Sequence, residues 1–149
     1  MKVTWSCWIF LTVIYNISFF SANTQVALPS QCISYTTNTD STRNVAYTGC
    51  CNCESLSGGW YRFLGAAGTR LSTFPSNYGT CGYYYSGWLN ASLPTTRGAV
   101  TSGNVCFNTG SNICTTYSSA NIALVTNCGD YYVFFLPTSY SCSYRYCTT

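Results

Sequence analysis

Residues 121–136 read NIALVTNCGDYYVFFL, and this stretch decides the class of fold. It contains two runs rich in β-branched and aromatic residues, 121–128 and 131–136, on either side of Gly129-Asp130. A two-residue Gly-Asp link between such runs is typical of a β-hairpin. Pro137 is expected to end the second run, because proline cannot donate to the hydrogen-bond ladder of a sheet. We therefore predict two antiparallel strands here.

The rest of the chain also favours β structure. Residues 59–65, GWYRFLG, are an aromatic run bounded by glycine and predict a strand. Residues 141–147 alternate well enough for one short final strand, whereas the Gly, Pro, Ser and Asn of 66–86 indicate loops. No segment carries a long helical apolar stripe. The predicted fold is mainly β: a small disulfide-rich single domain with antiparallel strands and long loops.

The composition is typical of a protein outside the cytosol. Only 6% of the 149 residues are charged, against about a quarter in an ordinary soluble protein, while there are 14 tyrosines and 11 cysteines. Uncharged polar groups, amphipathic rings and disulfides must therefore provide solubility and stability. The net charge of +3 is too small for the clustered basic face that nucleic acids require, so no nucleic-acid partner is expected.

The beginning of the chain resembles a secretory leader. A weakly positive start, an apolar run over 8–15 and small residues at Ser21-Ala22 predict a signal peptide over 1–22, cleaved between residues 22 and 27. A membrane anchor is the alternative, but polar residues interrupt the stretch, and a span needs about 20 mostly apolar residues. The product is expected to be secreted and extracellular, with no membrane span in the mature chain.

Behind this leader we expect a flexible arm over 23–31 and a cysteine-rich domain over 32–149. Cys7 leaves with the leader, so that ten of the 11 cysteines remain, an even number that fits five bridges. The candidate disulfide-forming residues are Cys32, Cys50, Cys51, Cys53, Cys81, Cys106, Cys114, Cys128, Cys142 and Cys147. The pairing stays open, since so many cysteines allow hundreds of connectivities.

One constraint on the pairing concerns Cys50 and Cys51. A bridge between neighbours is strained, so each of the two is expected to pair with a different, distant cysteine. Zinc is the competing use of Cys50-Cys51-Asn52-Cys53, but the chain has no histidine and the compartment is oxidising. We expect no metal and no cofactor.

The side chains available for catalysis are few. There is no histidine, no lysine after Lys2, and the carboxylates are Asp40, Glu54 and Asp130. General acid-base or nucleophilic chemistry needs a base beside the nucleophile, and the serines lack one. A glycosidase-type carboxylate pair is the alternative, but Asp130 in a turn and Asp40 in a polar arm have structural explanations. No catalytic residue and no enzyme activity are predicted.

A glycosylation signal and a set of aromatic residues offer other functions. Asn90-Ala91-Ser92 is an N-x-[ST] sequon, and a secreted chain passes the glycosylation machinery. The following aromatic residues can stack on sugars but are better explained as strand residues that fill a small core: Trp60, Tyr61, Tyr83, Tyr84, Tyr85, Trp88, Tyr131 and Tyr132.

Arg62 lies between two of the aromatic residues of the predicted strand. A regular strand would turn it to the face opposite Tyr61 and Phe63. There it can pair with Glu54 or stack on a ring, and a structural role is preferred to a binding role.

Taken in order, several of these blocks resemble the cysteine-rich module of the family that contains uromodulin and the pancreatic zymogen-granule membrane glycoprotein. The resemblance covers about residues 32–149. The matching blocks are Cys53-Glu54, 59–63 with Gly65 and Gly68, Cys81-Gly82, Trp88-Leu89-Asn90, Pro94, Gly98, Val100, Cys106, Cys128, 131–133, Leu136, Cys142 and 146–148.

The chain departs from the family pattern at its cysteines. The family has a second cysteine shortly before the position of Cys81 and a Cys-Cys pair where this chain has Cys114 alone, whereas the extra cysteines here are Cys50 and Cys51. The family's connectivity is therefore not transferred. The resemblance implies a glycan on Asn90 that bacterial adhesin lectins can recognise, although Ser92 replaces the family's Thr.

The leading hypothesis is a secreted non-enzymatic glycoprotein module that presents an N-glycan to microbial lectins or to other extracellular partners such as glycoproteins. One alternative is a structural or protein-interaction module whose glycan serves solubility only. The other is a carbohydrate-binding domain that uses exposed aromatic residues, motivated by the cluster at 83–85.

Overall fold

The computed structural model describes residues 26–53, 55–116 and 121–149. Within these ranges a single sheet of seven strands has the order β1-β2-β6-β5-β4-β3-β7. The strands are β1 Thr36–Asn38, β2 Gly59–Phe63, β3 Tyr85–Asn90, β4 Val100–Asn108, β5 Ile122–Asn127, β6 Tyr132–Leu136 and β7 Tyr144–Tyr146. Three short 3-10 turns accompany them: Ser30–Cys32, Ser41–Arg43 and Gly65–Ala67. The predicted class, mainly β and disulfide-rich, is confirmed.

Helical structure in the described ranges is confined to those turns, and none of it is long and apolar enough to cross a membrane. The predicted signal peptide over 1–22 lies outside the described residues. The first described residues, Val26 to Pro29, precede the 3-10 turn at Ser30–Cys32, and Leu28 packs against a cluster that contains Cys32 and Cys128.

The predicted hairpin at 121–136 is confirmed. Strands β5 and β6 pair in antiparallel fashion, with Asn127 opposite Tyr132. The turn is closed by a hydrogen bond from the Cys128 N–H to the Tyr131 carbonyl at 2.8 Å. Gly129 has φ of +99°, a conformation that residues with a Cβ rarely adopt, and its N–H donates to Asn127 Oδ1 at 2.8 Å. The glycine is thus required by the turn.

Strands β1, β3 and β4 were not predicted. Strand β4 is the longest in the sheet, but its first half is polar and half-exposed, so it shows no alternation of apolar and polar residues. The first two residues of β3, Tyr85 and Ser86, fall in the stretch expected to be loop. Gly87 on β3 is needed because a Cβ there would meet the Phe107 ring at 2.5 Å.

Two of the six pairings are parallel and add to the antiparallel pattern that the sequence indicated. Strand β1 pairs with β2 and β7 pairs with β3, both in parallel. Both lie at the edges of the sheet and are reached through long connections, which parallel pairing requires.

The main core lies on one face of the sheet. Alternate residues of the central strands point into it and are fully buried, including Leu89, Val105, Val125, Phe134 and Leu136. The opposite face carries a second cluster around Val133, on which the segment before β1 packs. Because the strands alternate between the two clusters, a one-residue slip of register would exchange core and surface.

The described residues form five disulfides. Four of them join residues that the fold brings together, with Cα atoms 4.5 to 5.6 Å apart: Cys32–Cys128, Cys53–Cys142, Cys81–Cys147 and Cys106–Cys114. Three of these close loops of 66 or more residues, which in the chain-entropy account constrains the unfolded state most.

The fifth disulfide joins the neighbours Cys50 and Cys51. The expectation that these two cysteines pair with distant partners is therefore wrong. The physical reason is that the other eight cysteines meet one another in the fold, which leaves Cys50 and Cys51 side by side in an exposed, irregular segment. Since Cys53 is bonded to Cys142, all three sulfurs of the segment 50–53 are in disulfides.

Candidate functional site

The sequon begins at the last residue of β3. Asn90 is exposed, whereas Trp88 and Leu89 before it are buried. Asn90 lies opposite Asn104 of β4, and the Leu89 N–H donates to the Ser72 carbonyl at 2.8 Å on the other side of β3. The acceptor amide is therefore presented at the rim of the sheet by a strand that is fixed on both sides.

The chain leaves the sheet directly after Asn90. Ala91 packs against the Cα of Gly103, where a Cβ on residue 103 would collide with the Ala91 methyl group. Ser92 is exposed, and its carbonyl accepts a long hydrogen bond from the Thr101 hydroxyl at 3.4 Å. Both the amide and the hydroxyl of the sequon thus belong to solvent-exposed residues.

The two described carboxylates lie in different surroundings. Asp40 lines a shallow cleft with Thr42 and Asn52, whereas Asp130 is exposed in the β5–β6 turn and lines another cleft. Glu54 lies outside the described residues. The structure therefore does not bring Asp40 and Asp130 together as a glycosidase-type pair.

Asp40 belongs to a buried ionic network around Arg145. The Arg145 guanidinium donates to Asp40 Oδ2 and Thr42 Oγ1, both at 2.7 Å, to the Asn52 carbonyl at 3.1 Å and to the Cys81 carbonyl at 3.2 Å. The side chain of Arg145 is fully buried. This network, which we call the Arg145 network, ties the segment before β2 to the C-terminal strand.

The network also sets the protonation of Asp40. Burial by itself would raise the pKa of the Asp40 carboxyl, but hydrogen bonds from Thr42 and Arg145 outweigh burial and lower the pKa below its usual value of 3.8. Arg43, which is fully buried as well, lies 3.5 Å from the same carboxylate. Asp40 is thus held as an anion between two cations, a structural role.

Most of the aromatic residues singled out in the sequence serve packing. Tyr61 and Trp88 are buried, Trp60 stacks edge-on against Phe135, and Tyr85 packs on Tyr144. Tyr84 is the exception, since 47% of it is exposed.

Tyr84 is part of a wider exposed aromatic surface. Its ring stacks on Tyr78 with centroids 6.2 Å apart, and Tyr83 packs edge-on against it at 4.9 Å. Tyr140 is 77% exposed and packs edge-on against Tyr144. Tyr144 contacts Tyr85, which in turn contacts Tyr78, so the rings are connected. Tyr78 and Tyr140 were not predicted to belong to this surface. The one hint in the sequence is that both residues are tyrosines, which often contact other rings.

Arg62 stacks on a ring, one of the two roles that were considered for it. Its guanidinium carbon lies 3.7 Å from the centroid of Tyr131, and Nη1 donates to the Tyr35 hydroxyl at 3.0 Å. The other role, a pair with Glu54, involves a residue outside the described ranges. Tyr61 and Phe63 are buried while Arg62 is half-buried, as strand alternation predicted.

Arg62 also lines a surface cleft. The end of β2, residues 69–70 and the β5–β6 turn enclose about 360 Å³, and we call this the arginine cleft. Its lining residues include Arg62, Arg70, Asp130, Tyr131 and Tyr132. Arg70 was missed in the sequence, because nothing in its local context distinguishes it from an ordinary surface arginine.

Known proteins show similarity over most of the described chain. The family model of the uromodulin-like domain matches residues 61–148. The rat pancreatic secretory granule membrane major glycoprotein GP2 is 33% identical over 97 residues, 64% of this chain, and rat uromodulin is 31% identical over 117 residues, 78% of this chain. The human GP2 glycoprotein is 32% identical over 108 residues, 72% of this chain. The matches cover only 18 to 19% of the length of these relatives.

Proposed function

The chain belongs to the uromodulin-like domain family, and we propose that it is a secreted, non-enzymatic glycoprotein module that presents an N-linked glycan on Asn90 to extracellular partners. The observation that carries the proposal is the exposure of Asn90 at the end of a strand whose preceding residues are buried. A glycan at this position would project from the rim of the sheet without covering the core.

The strand that carries Asn90 is held rigidly by its neighbours. Strand β3 pairs with β4 on one side and with β7 on the other. The disulfide Cys106–Cys114 leaves from β4 at the residue opposite Trp88, and Cys147 directly after β7 is bonded to Cys81. A glycan attached to a strand held in this way keeps its position relative to the domain, which lowers the entropy lost when a lectin binds it.

The carboxylates support the non-enzymatic part of the proposal. Asp40 is engaged by Arg145 and Arg43, so it is not available as a base, and Asp130 has no described carboxylate beside it in its cleft. Among the described residues the chain therefore offers binding surfaces rather than an acid-base pair.

Partners of two kinds fit this module. Mannose-specific microbial lectins would bind the Asn90 glycan itself, and extracellular glycoproteins would bind the protein surface beside it. The exposed surface of Tyr78, Tyr84 and Tyr140 favours a second function, a contact with protein or neutral sugar in which the Asn90 glycan serves solubility alone.

Variants of the sequon separate these functions. The secreted protein, Asn90→Gln, Ser92→Ala and Ser92→Thr would be captured on an immobilised mannose-specific lectin, with intact disulfides verified by mass. We expect capture of the wild type and of Ser92→Thr, and loss of capture in both Asn90→Gln and Ser92→Ala. Because Ser92→Ala keeps the asparagine, equal loss in the two variants assigns the effect to the glycan.

Capture that survives in Asn90→Gln would contradict glycan presentation. If instead the folded Asn90→Gln protein loses only its secretion yield and keeps a protein partner, the glycan serves solubility. A Tyr84→Ala variant, which removes an exposed ring without touching the sequon, is the matched control for that second function.

A further inference from the structure

The arginine cleft contains a cation that the described residues leave incompletely satisfied. Arg62 has one hydrogen bond to the described protein, from Nη1 to the Tyr35 hydroxyl, and its Nε is buried without a partner. A guanidinium has five N–H donors, and no described carboxylate lies within ion-pair distance of this one. The face of the guanidinium is held on the Tyr131 ring, so its orientation is fixed before any ligand arrives.

A second cation lines the same cleft. Arg70 is exposed, and its backbone is held by two hydrogen bonds with Thr149, from Arg70 N to Thr149 O at 3.2 Å and from Thr149 N to Arg70 O at 2.9 Å. No ion pair or hydrogen bond engages its side chain among the described residues. The fold thus brings together two arginines that are only eight positions apart in the sequence but come from a strand and a loop.

The third charge selects among anions. Asp130 also lines the cleft and carries a negative charge. Together with the two positive arginines, it gives the lining residues a net charge of +1. A single carboxylate matches this balance, whereas a polyanion such as a sulfated chain would be repelled by Asp130. Asp130 itself is an acceptor that suits hydroxyl donors.

The lining also includes two aromatic residues. Tyr131 and Tyr132 are both half-buried, and Tyr131 carries the Arg62 guanidinium on its ring. Sugars combine C–H faces, which pack on aromatic rings, with hydroxyl groups that donate to carboxylates. The volume of about 360 Å³ lies at the lower end of the range of small-molecule sites, which suits one or two sugar rings.

We infer that the arginine cleft binds a carboxylate-bearing saccharide, with the carboxylate on Arg62 and Arg70, hydroxyl groups on Asp130 and the sugar ring against Tyr132. This site is separate from Asn90: it receives a sugar from another molecule, whereas Asn90 carries one. Its function therefore does not depend on whether Asn90 is glycosylated.

The test uses the secreted, disulfide-intact protein after sialidase treatment, so that its own acidic sugars cannot compete. The probe is the methyl glycoside of N-acetylneuraminic acid, titrated while protein and ligand are observed by NMR. Methyl galactoside provides the neutral sugar, acetate the bare carboxylate, and a heparin disaccharide the polyanion. We expect saturable binding of the sialoside, with weaker binding of all three comparison ligands.

Variants then assign the binding to the cleft. Arg70→Ala is expected to weaken sialoside binding by about tenfold or more, since it removes one charge-assisted partner. Arg97→Ala, which removes the same charge from an exposed arginine that packs beside Gly129 but does not line the cleft, is expected to weaken it less than Arg70→Ala does. Arg62→Lys keeps the charge but loses the planar fork and is expected to weaken binding as well.

Three results would overturn the inference. Equal binding of sialoside and galactoside would remove the role of the carboxylate, and equal binding of sialoside and acetate would remove the role of the sugar. Equal losses in Arg70→Ala and Arg97→Ala would show a general effect of charge in place of a site. Arg70 is exposed, so its variant is expected to fold, and intact mass with one-dimensional NMR checks this.

Discussion

Arg145 and Arg62 occupy nearly the same local sequence but have opposite surroundings. Arg145 lies between Tyr144 and Tyr146 on β7, and Arg62 lies between Tyr61 and Phe63 on β2, towards the other edge of the sheet. Arg145 is fully buried and donates to four groups, whereas Arg62 is half-buried and donates to one hydroxyl.

The difference shows how the same residue can be structural in one place and available in another. A buried guanidinium must find acceptors within the protein, because leaving it unpaired costs several kcal/mol. Arg145 finds them in the Arg145 network, whereas Arg62 meets the Tyr131 ring and the ring and hydroxyl of Tyr35 among the described residues. We therefore expect Arg145 at the β7 edge to govern stability and Arg62 on β2 to govern recognition in the arginine cleft.

The largest expected effect on stability comes from removing the disulfide that holds the β7 edge. Removing the Cys81–Cys147 disulfide with C81A/C147A is expected to cost about 4 kcal/mol of unfolding free energy, because this bridge closes a long loop and both sulfurs are buried. The matched variant C50A/C51A removes a bridge that closes no loop and is expected to change the free energy of unfolding by less than about 0.5 kcal/mol.

Denaturant unfolding, followed by tryptophan fluorescence without reductant, measures both variants. A large loss in C50A/C51A, or a negligible one in C81A/C147A, would contradict the assignment of stability to the β7 edge.

The next effect compares the two arginines directly. Arg145→Lys keeps the charge but loses the fork that reaches four acceptors, and we expect a loss of about 3 kcal/mol in the free energy of unfolding. Arg62→Lys loses a ring contact and one hydrogen bond, so a loss of about 1 kcal/mol is expected. The same unfolding experiment applies, and equal losses would show that the two arginines do not differ in role.

A smaller effect is expected from acid. The pKa of Asp40 is lowered in the folded state, so its contribution to stability is fully present above its usual value of 3.8 and is lost as pH falls through the lower folded value. Asp40→Asn is expected to cost about 2 kcal/mol at neutral pH and to flatten the decline in stability below pH of about 4. Thermal unfolding as a function of pH measures this, and parallel profiles for the two proteins would contradict it.

The local parts of this fold could be predicted from the sequence, and the distant contacts could not. The Gly129-Asp130 hairpin is set by turn chemistry within 16 residues, so its two strands and the end at Pro137 followed from the sequence. Strand β4 has little apolar alternation, and its pairing depends on β3 and β5, which lie elsewhere in the chain.

The arginines show the same limit. Alternation along β7 would expose Arg145, but the turn at Ser41–Arg43 covers that face and supplies Thr42 and Asp40 as partners from more than 100 positions away. Asn90 was found from its own tripeptide, whereas Arg70 and Asp130 become one cleft only through the fold. The tripeptide 90–92 was therefore enough to locate the glycosylation signal, whereas the arginine cleft forms only when distant segments come together in the fold.

Glycan presentation by Asn90 is tested most directly by intact and peptide mass spectrometry of the secreted protein, before and after N-glycosidase treatment, under non-reducing conditions. We expect a glycan on the peptide that contains Asn90, its removal by the enzyme with conversion of Asn90 to aspartate, and a mass that corresponds to five disulfides. An unmodified Asn90 in the secreted protein would contradict the proposed function.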